Sequence, residues 1–445
     1  MGRRSHSRNL SLWTNGERVG RWTIPARGEM ELHYDANWVA AAIGRPLSLS
    51  LPFNLDNLPL KGRKVANYFD NLLPDSDAIR RRVAQRFHTG STDPFDLLKA
   101  IGRDCMGAVQ ILGEDETPQG FDRIEGIPLS EEAIERHLIE TVTPRAFGAS
   151  ADPDADFRIS LAGAQEKTAF LWWDGQWQVP RGATPTSHIF KLPLGLMGGR
   201  QADFTTSVDN EWLCLRLLKA YGLEVADARI ATFGKQRVLV VERFDRRVAP
   251  DGRWLMRLPQ EDFCQVEGCS PFQKYENEGG PGLVALFTTL RQSVNADADM
   301  KTLMTAQILF WLLRAPDGHA KNFSIHILPR GRFRLTRLYD VMSAYPVLGD
   351  GPHQWSSREI KLAMALLGKN KHYTMQTIQR RHFDSTAQKV GYAQTAEPII
   401  EDILARTPAA IAEVQADLPQ DLSPRVADAI LGGLERAAAA LGAGA

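Results

Sequence analysis

The chain has 445 residues, 43% hydrophobic and 24% charged, with 53 basic residues balanced by 53 acidic ones. That length is too great for one ordinary core and implies two or three domains, and the composition excludes a disordered chain. A formal charge of zero carries no global signature of a nucleic-acid binder.

Four scattered cysteines, Cys105, Cys214, Cys264 and Cys269, lack a CxxC spacing, so unpaired thiols in a reducing cytoplasm are expected rather than a structural zinc. No apolar run reaches the length of a membrane span, and the basic N-terminus lacks the apolar core of a signal peptide.

In chain order, "NLSLWTNGERVGRW" predicts a hairpin turning at Asn15-Gly16. "DSDAIRRRVAQRF" predicts a helix capped by Asp75 or Ser76, with Ile79, Val83 and Phe87 on one face. "DPFDLLKAIG" predicts a helix closed by Gly102, Gly107–Leu112 a strand, and "SEEAIERHLIETV" a helix capped by Ser130. "TPRAFGASADPDAD" is expected as a linker.

"DFRIS", "KTAFLWW", "WQVP" and "SHIFKLP" then read as strands, followed by a helix at "SVDNEWLCLRLLKAYG" capped by Ser207 or Asp209 and ended by Gly222. Strands "ARIATFG" and "RVLVVERFD" complete an antiparallel sheet with one inserted helix, an α+β pattern. From about residue 279 helices dominate, interrupted by strands at "FSIHIL" and "RFRLTRL".

Chemistry concentrates in "RAPDGHAKNFS". Asp317 and Asn322 are five apart, a spacing that suits a loop in which Asp receives a proton and Asn holds a magnesium ion against a phosphate; a polar turn after a buried helix is the plainer alternative. Asp340 follows a strand-like run and suits a second magnesium ligand, or a helix N-cap. "SLAGAQEK" offers a β-turn-β that lays backbone N–H groups over phosphates, or an ordinary hairpin. Lys191 lies within an apolar strand, either facing water or buried with a partner, for which Glu211 is the best candidate. Glu242 and Arg243 end a strand whose backbone suits an adenine edge, or form a surface ion pair.

These parts occur in the order found in a protein-kinase-like phosphotransferase. The stretches "SLAGAQEKTAFLW", "IFKLP", "SVDNEWLCLRLL", "VVERFDRR", "RLPQEDFCQ", "KYENEGGPG", "DGHAKNFSI" and "LYDVMSAYPVL" resemble the HipA-type toxin serine/threonine kinases of bacterial toxin–antitoxin modules. "YFDNLLPDS" resembles their extra N-terminal subdomain, so the resemblance covers nearly the whole chain.

It implies a two-lobed, protein-kinase-like α+β fold with an N-terminal α/β subdomain at 1–150, a sheet-rich nucleotide-binding lobe at 151–250 and a mainly helical catalytic lobe at 251–445. It implies Asp317 as catalytic base, Asn322 and Asp340 as magnesium ligands, and Lys191 as the phosphate-binding lysine. Ala162, Gly163, Ala164, Gln165, Glu166 and Lys167 match the phosphate loop, and Glu242, Arg243 and Phe244 the adenine-side connection. His319 and Lys321 sit in the nucleotide-contacting loop, and Ser160 at the autophosphorylation site.

The implied activity is ATP- and magnesium-dependent phosphorylation of an aminoacyl-tRNA synthetase, the glutamyl enzyme first, which stalls translation and favours dormancy. The implied partners are a dimeric, HipB-like DNA-binding antitoxin and, through it, operator DNA; no membrane partner is expected. A small-molecule kinase and a catalytically silent corepressor are the alternatives.

Overall fold

The computed structural model describes residues 7–143, 160–163, 165–198 and 201–444. Most of the expected linker, the expected strand over 156–160 apart from Ser160, and Ala164 lie outside the described residues.

Strands β1 (Arg8–Thr14) and β2 (Glu17–Ile24) form the predicted hairpin. Asn15 (φ 47) and Gly16 (φ 84) both turn left-handed, the conformation for which Asn-Gly is selected. β3 (Glu31–Tyr34), β4 (Leu60–Lys61) and β5 (Gln110–Gly113) complete a five-stranded sheet of order β4-β3-β2-β1-β5. Helices α1 (Ala36–Ala40), α2 (Arg63–Asp70), α3 (Asp77–Arg86) and α4 (Pro94–Ile101) complete this N-terminal module. In its core Trp22 of β2 stacks on Phe69 of α2, ring centroids 3.8 Å apart. Ser76 caps α3 by accepting from the Ile79 N–H. The residue that α3 buries is Arg80, which reaches Asp70 at 2.7 Å; Ile79, Val83 and Phe87 are half-buried.

β6 (Gly126–Pro128) and α5 (Glu131–Val142, capped by Ser130) come next. β7 (Lys167–Trp173), β8 (Gln176–Pro180), β9 (His188–Lys191), a ribbon of β10 (Gly195–Met197) and β11 (Ala202–Phe204), α6 (Ser207–Ala220), β12 (Ala228–Phe233) and β13 (Gln236–Glu242) follow. Six of these strands make an antiparallel sheet of order β12-β13-β9-β7-β8-β6, the α+β pattern expected. The expected division at 150 falls after β6 and α5, both of which pack with this later sheet.

The cap expected for α6 is different. Thr206 is the N-cap and makes no side-chain bond. Ser207 Oγ accepts from the Leu194 N–H instead, and Asp209 takes Arg237 and the Ser423 N–H. Both oxygens serve tertiary partners, which local sequence does not reveal.

The remainder contains β14 (Arg246–Val248), β15 (Leu255–Arg257), β16 (Gln260–Asp262), α7 (Phe263–Glu267), α8 (Leu283–Leu290) and α9 (Ala296–Leu312). After them come β17 (Ser324–Ile327), β18 (Phe333–Leu335), β19 (Lys361–Leu367), β20 (Lys371–Thr374), α10 (Arg380–Lys389), α11 (Glu397–Ala416) and α12 (Pro424–Gly442). One apolar core runs from α6 through α9 to α11 and α12, so the inserted helix ties the sheet to the helical region.

A buried ionic cluster ties in the N-terminal module. Asp104, before β5, meets Arg246 at 2.8 Å, Arg243 at 3.2 Å and Arg257 at 3.2 Å. Asp245 meets Arg243 at 2.8 Å and Arg246 at 3.1 Å. Burial pushes the Asp104 carboxyl up, but the three guanidinium groups outweigh it and hold it well below the usual carboxylate range. Removing one partner of such a cluster leaves buried charge uncompensated. Asp104→Ala is therefore expected to cost about 3–5 kcal/mol, read as a lowered urea midpoint with unchanged slope.

Candidate functional site

A cavity of about 680 Å³ opens where the three regions meet, walled by Leu161–Gly163, Lys167, Lys191, Tyr275, the 316–322 loop and Asp340 among others. Lys191 ends β9 almost wholly buried. Its ammonium donates to Glu211 Oε1 of α6 at 2.6 Å and to Asp340 Oδ1 at 2.9 Å. Burial alone would discharge this lysine, yet Asp340 and Glu211 hold its pKa above the ordinary value. Asp340 adopts φ 58, an unusual backbone for a non-glycine residue, and it caps no helix. Burial raises its pKa, but Lys191 and Lys167 outweigh that, so the carboxylate stays ionised.

The 317–322 loop closes on itself. Asn322 Nδ2 donates to the Asp317 carbonyl at 2.6 Å and the His319 N–H to the same oxygen at 2.8 Å, fixing the five-residue spacing as geometry. Gly318 packs under Phe310, where a Cβ would come within 2.5 Å of the ring. The Asp317 carboxylate is 40% exposed and accepts from the Tyr275 hydroxyl. His319 is buried, which lowers its pKa and keeps it neutral; its Nδ1 has no hydrogen-bond partner among the described residues.

Lys321 lines the cavity, but its ammonium is engaged: Asn71 Oδ1 lies at 2.9 Å, Asp262 at 3.4 Å and Asp75 at 3.5 Å. It anchors the loop to the N-terminal module.

The 160–167 loop is held by the same module. Ser160 is fully buried, its hydroxyl donating to the Leu72 carbonyl at 2.7 Å and its N–H to the Asp104 carbonyl at 3.0 Å. Gly163 bridges Pro74, with the Asp75 N–H donating to the Gly163 carbonyl at 3.0 Å. Lys167 Nζ donates to the Ala162 carbonyl at 2.6 Å, and its pKa is pushed down to about 8 by burial and by neighbouring Lys191. Gln165 lines the cavity while bonding the Leu192 carbonyl. Glu166 turns away to pair with Arg82.

Glu242, Arg243 and Phe244 are not brought to this cavity. Glu242 is exposed and lines a separate pocket of about 240 Å³, Arg243 belongs to the buried cluster, and Phe244 packs on Tyr339 and His326. Sequence reasoning assigned no role to Tyr275, Lys274 and Asn71, and read Asp75 only as a candidate helix cap. The signal was present in "KYENEGGPG" and "YFDNLLPDS", polar residues in segments whose apolar neighbours demand burial.

Sequence comparison matches residues 159–411 to the HipA-like C-terminal domain and residues 10–112 to the HipA N-terminal domain. Y4mE of Sinorhizobium fredii, named as a kinase, is 34% identical over 77% of this chain and 79% of its own. The serine/threonine-protein kinase toxin HipA of Shewanella oneidensis is 29% identical over 78% of this chain and 76% of its own. A solved complex of Shewanella oneidensis HipA with HipB and its operator DNA has a chain that shares the fold, with a TM-score of 0.77 at 23% identity over 96% of both chains.

Gly163 is the glycine on which the 160–167 loop depends: its φ is +106, and a Cβ would stand 2.6 Å from Lys167 Nζ. Gly163→Ala is expected to cost about 1–2 kcal/mol locally. Amide exchange over 161–167 should accelerate while the global melting temperature hardly moves.

Proposed function

This chain belongs to the HipA-like family of serine/threonine-protein kinase toxins, and we propose that its central cavity binds ATP with magnesium and passes the terminal phosphoryl group to a protein hydroxyl. The observation that carries this reading is the junction of Lys191, Glu211 and Asp340 beside the closed Asp317–Asn322 loop. Phosphoryl transfer is catalysed mainly by positioning and by charge already in place, and this site supplies both.

In this reading Asp317 orients the acceptor hydroxyl and receives its proton. Lys191, kept charged by its two carboxylates, and Lys167 hold the phosphate oxygens. Asn322 spends its nitrogen on the Asp317 carbonyl, leaving its oxygen for a cation, and Asp340 offers an ionised carboxylate. A magnesium ion takes such a small set of hard oxygen ligands and completes its shell from phosphates and water. Among the described residues no group of three or more His, Cys, Asp or Glu could hold a metal ion; Asn322 and Asp340, which line the same cavity, would hold the ion together with phosphate oxygens and water. Bound there, the ion supplies neutralisation of phosphate charge.

Family likeness alone supports the finer points. The protein substrate is an aminoacyl-tRNA synthetase, the glutamyl enzyme first, and its phosphorylation stalls translation. A dimeric HipB-like antitoxin restrains the kinase in the cytoplasm and brings it to operator DNA. Among the described residues no helix is long and apolar enough to cross a membrane. Ser160 is the autophosphorylation site. A phosphate there carries about −1.5 to −2 charges and cannot occupy the buried position from which the hydroxyl donates to the Leu72 carbonyl, so modification drives the loop out and inactivates the enzyme.

Asp317→Ala is expected to retain ATP binding and to abolish both label transfer from radiolabelled ATP and growth arrest on expression; persistent transfer overturns the assignment. Lys167 gives a pH dependence. Its pKa of about 8 lies below the ordinary 10.5, so its charge is present below that pH and lost above it. The ATP concentration at half-maximal rate is expected to rise as pH passes from 7 to 9, while Lys167→Arg moves this rise to higher pH.

A further inference from the structure

We propose that Tyr275 is the positioning residue for Asp317: its hydroxyl fixes the carboxylate so that the opposite oxygen faces the acceptor. This rests on the reading of Asp317 as the proton-receiving group. The Tyr275 hydroxyl donates to Asp317 Oδ1, and His319 Nε2 stands 3.7 Å from the same oxygen. Among the described residues nothing bonds Oδ2, and the carboxylate is 40% exposed. One oxygen is therefore held and the other is left without a hydrogen bond, on a carboxylate that lines the cavity. Burial, and then the Asp317 charge, push the phenol's pKa up, so it stays protonated and remains a donor.

The segment carrying Tyr275 is built to hold that hydroxyl still. Lys274 pairs with Asp75 at 3.0 Å, and its carbonyl accepts from the Ala320 N–H at 3.3 Å. Asn67 and Asn71 donate to the Gly268 and Cys269 carbonyls, both at 2.8 Å. Glu276 accepts from the Ala365 N–H at 2.6 Å and pairs with Lys371 at 2.8 Å. The glycines of "ENEGGPG" serve this loop rather than a phosphate. A Cβ on Gly280 would stand 2.1 Å from the Gln273 carbonyl oxygen, and one on Gly282 would stand 2.3 Å from the Glu276 carboxyl. The Tyr275 ring meets His319 edge-on, centroids 5.0 Å apart at 84°. The 317–322 loop and the tyrosine thus form one bonded unit, and a tyrosine is long enough to bridge the two segments.

The test is single-turnover incorporation of label from radiolabelled ATP into the full-length chain, followed against ATP concentration. Tyr275→Phe keeps the ring and loses the hydroxyl. It is expected to lower the maximal rate about 10- to 100-fold, with the half-saturating ATP concentration and the melting temperature unchanged. Lys274→Met, which cuts one tether, should lower the rate less and in the same way. A Tyr275→Phe rate within about twofold of the unaltered chain, with Asp317→Ala still inactive, overturns the inference and leaves the kinase reading standing. A rise in half-saturating ATP at unchanged rate also overturns it, because the hydroxyl then serves the nucleotide. Transfer that survives Asp317→Ala removes the reading itself, and the inference with it.

Discussion

The structure depends on one ammonium group placed between two carboxylates. Lys191 comes from the sheet, Glu211 from the inserted helix and Asp340 from the segment after β18. A buried charge without partners costs several kcal/mol, so the three groups stabilise one another only when sheet, helix and loop are all in place. The fixed ammonium on which the proposed phosphate contact relies is then a by-product of the geometry that burial demands. Asp340 holds its left-handed backbone at the point where that ion pair forms, which is where strain is tolerated because its surroundings over-determine it.

The N-terminal module is as much part of the site as the sheet. Asn71 and Asp75 engage Lys321 of the 317–322 loop, Asp75 engages Lys274, and Leu72 and Asp75 bond the 160–163 loop. Three stretches far apart in the chain are registered against one short segment, "NLLPD". The buried cluster of Asp104 with Arg243, Arg246 and Arg257 fixes that module to the rest of the chain.

Much of this was legible because local rules and tertiary demands agree. The Asn-Gly hairpin, the Ser76 and Ser130 caps and five of the six strands of the larger sheet, all but β6, follow from turn chemistry and period, and Glu211 was identifiable as the partner of Lys191 because a lysine in an apolar strand needs one. The rest was hidden where side chains serve distant partners. Ser207 and Asp209 look like caps and bond elsewhere, and Arg243 looks like a surface ion-pair residue and is fully buried. Lys321 reads as a nucleotide contact and points its charge at Asn71, 250 residues earlier in the chain. Tyr275 stands in the polar stretch "KYENEGGPG", but that stretch does not reveal its partner, Asp317, 42 residues on.

The continuous apolar core from α6 to α12 has a consequence for traffic through the cavity. A kinase whose lobes meet at a thin connection opens by swinging one lobe away. Here α6 is buried along most of its length, with Trp212, Leu213, Leu215, Leu217 and Leu218 in the same core as α9 and α11. Parting the lobes would expose that surface to water at about 25 cal/mol for each Å². Loosening a loop held by a few hydrogen bonds costs far less. Opening of the cavity is therefore expected to proceed by loosening of the loops that the N-terminal module holds, rather than by parting of the sheet from the helical region.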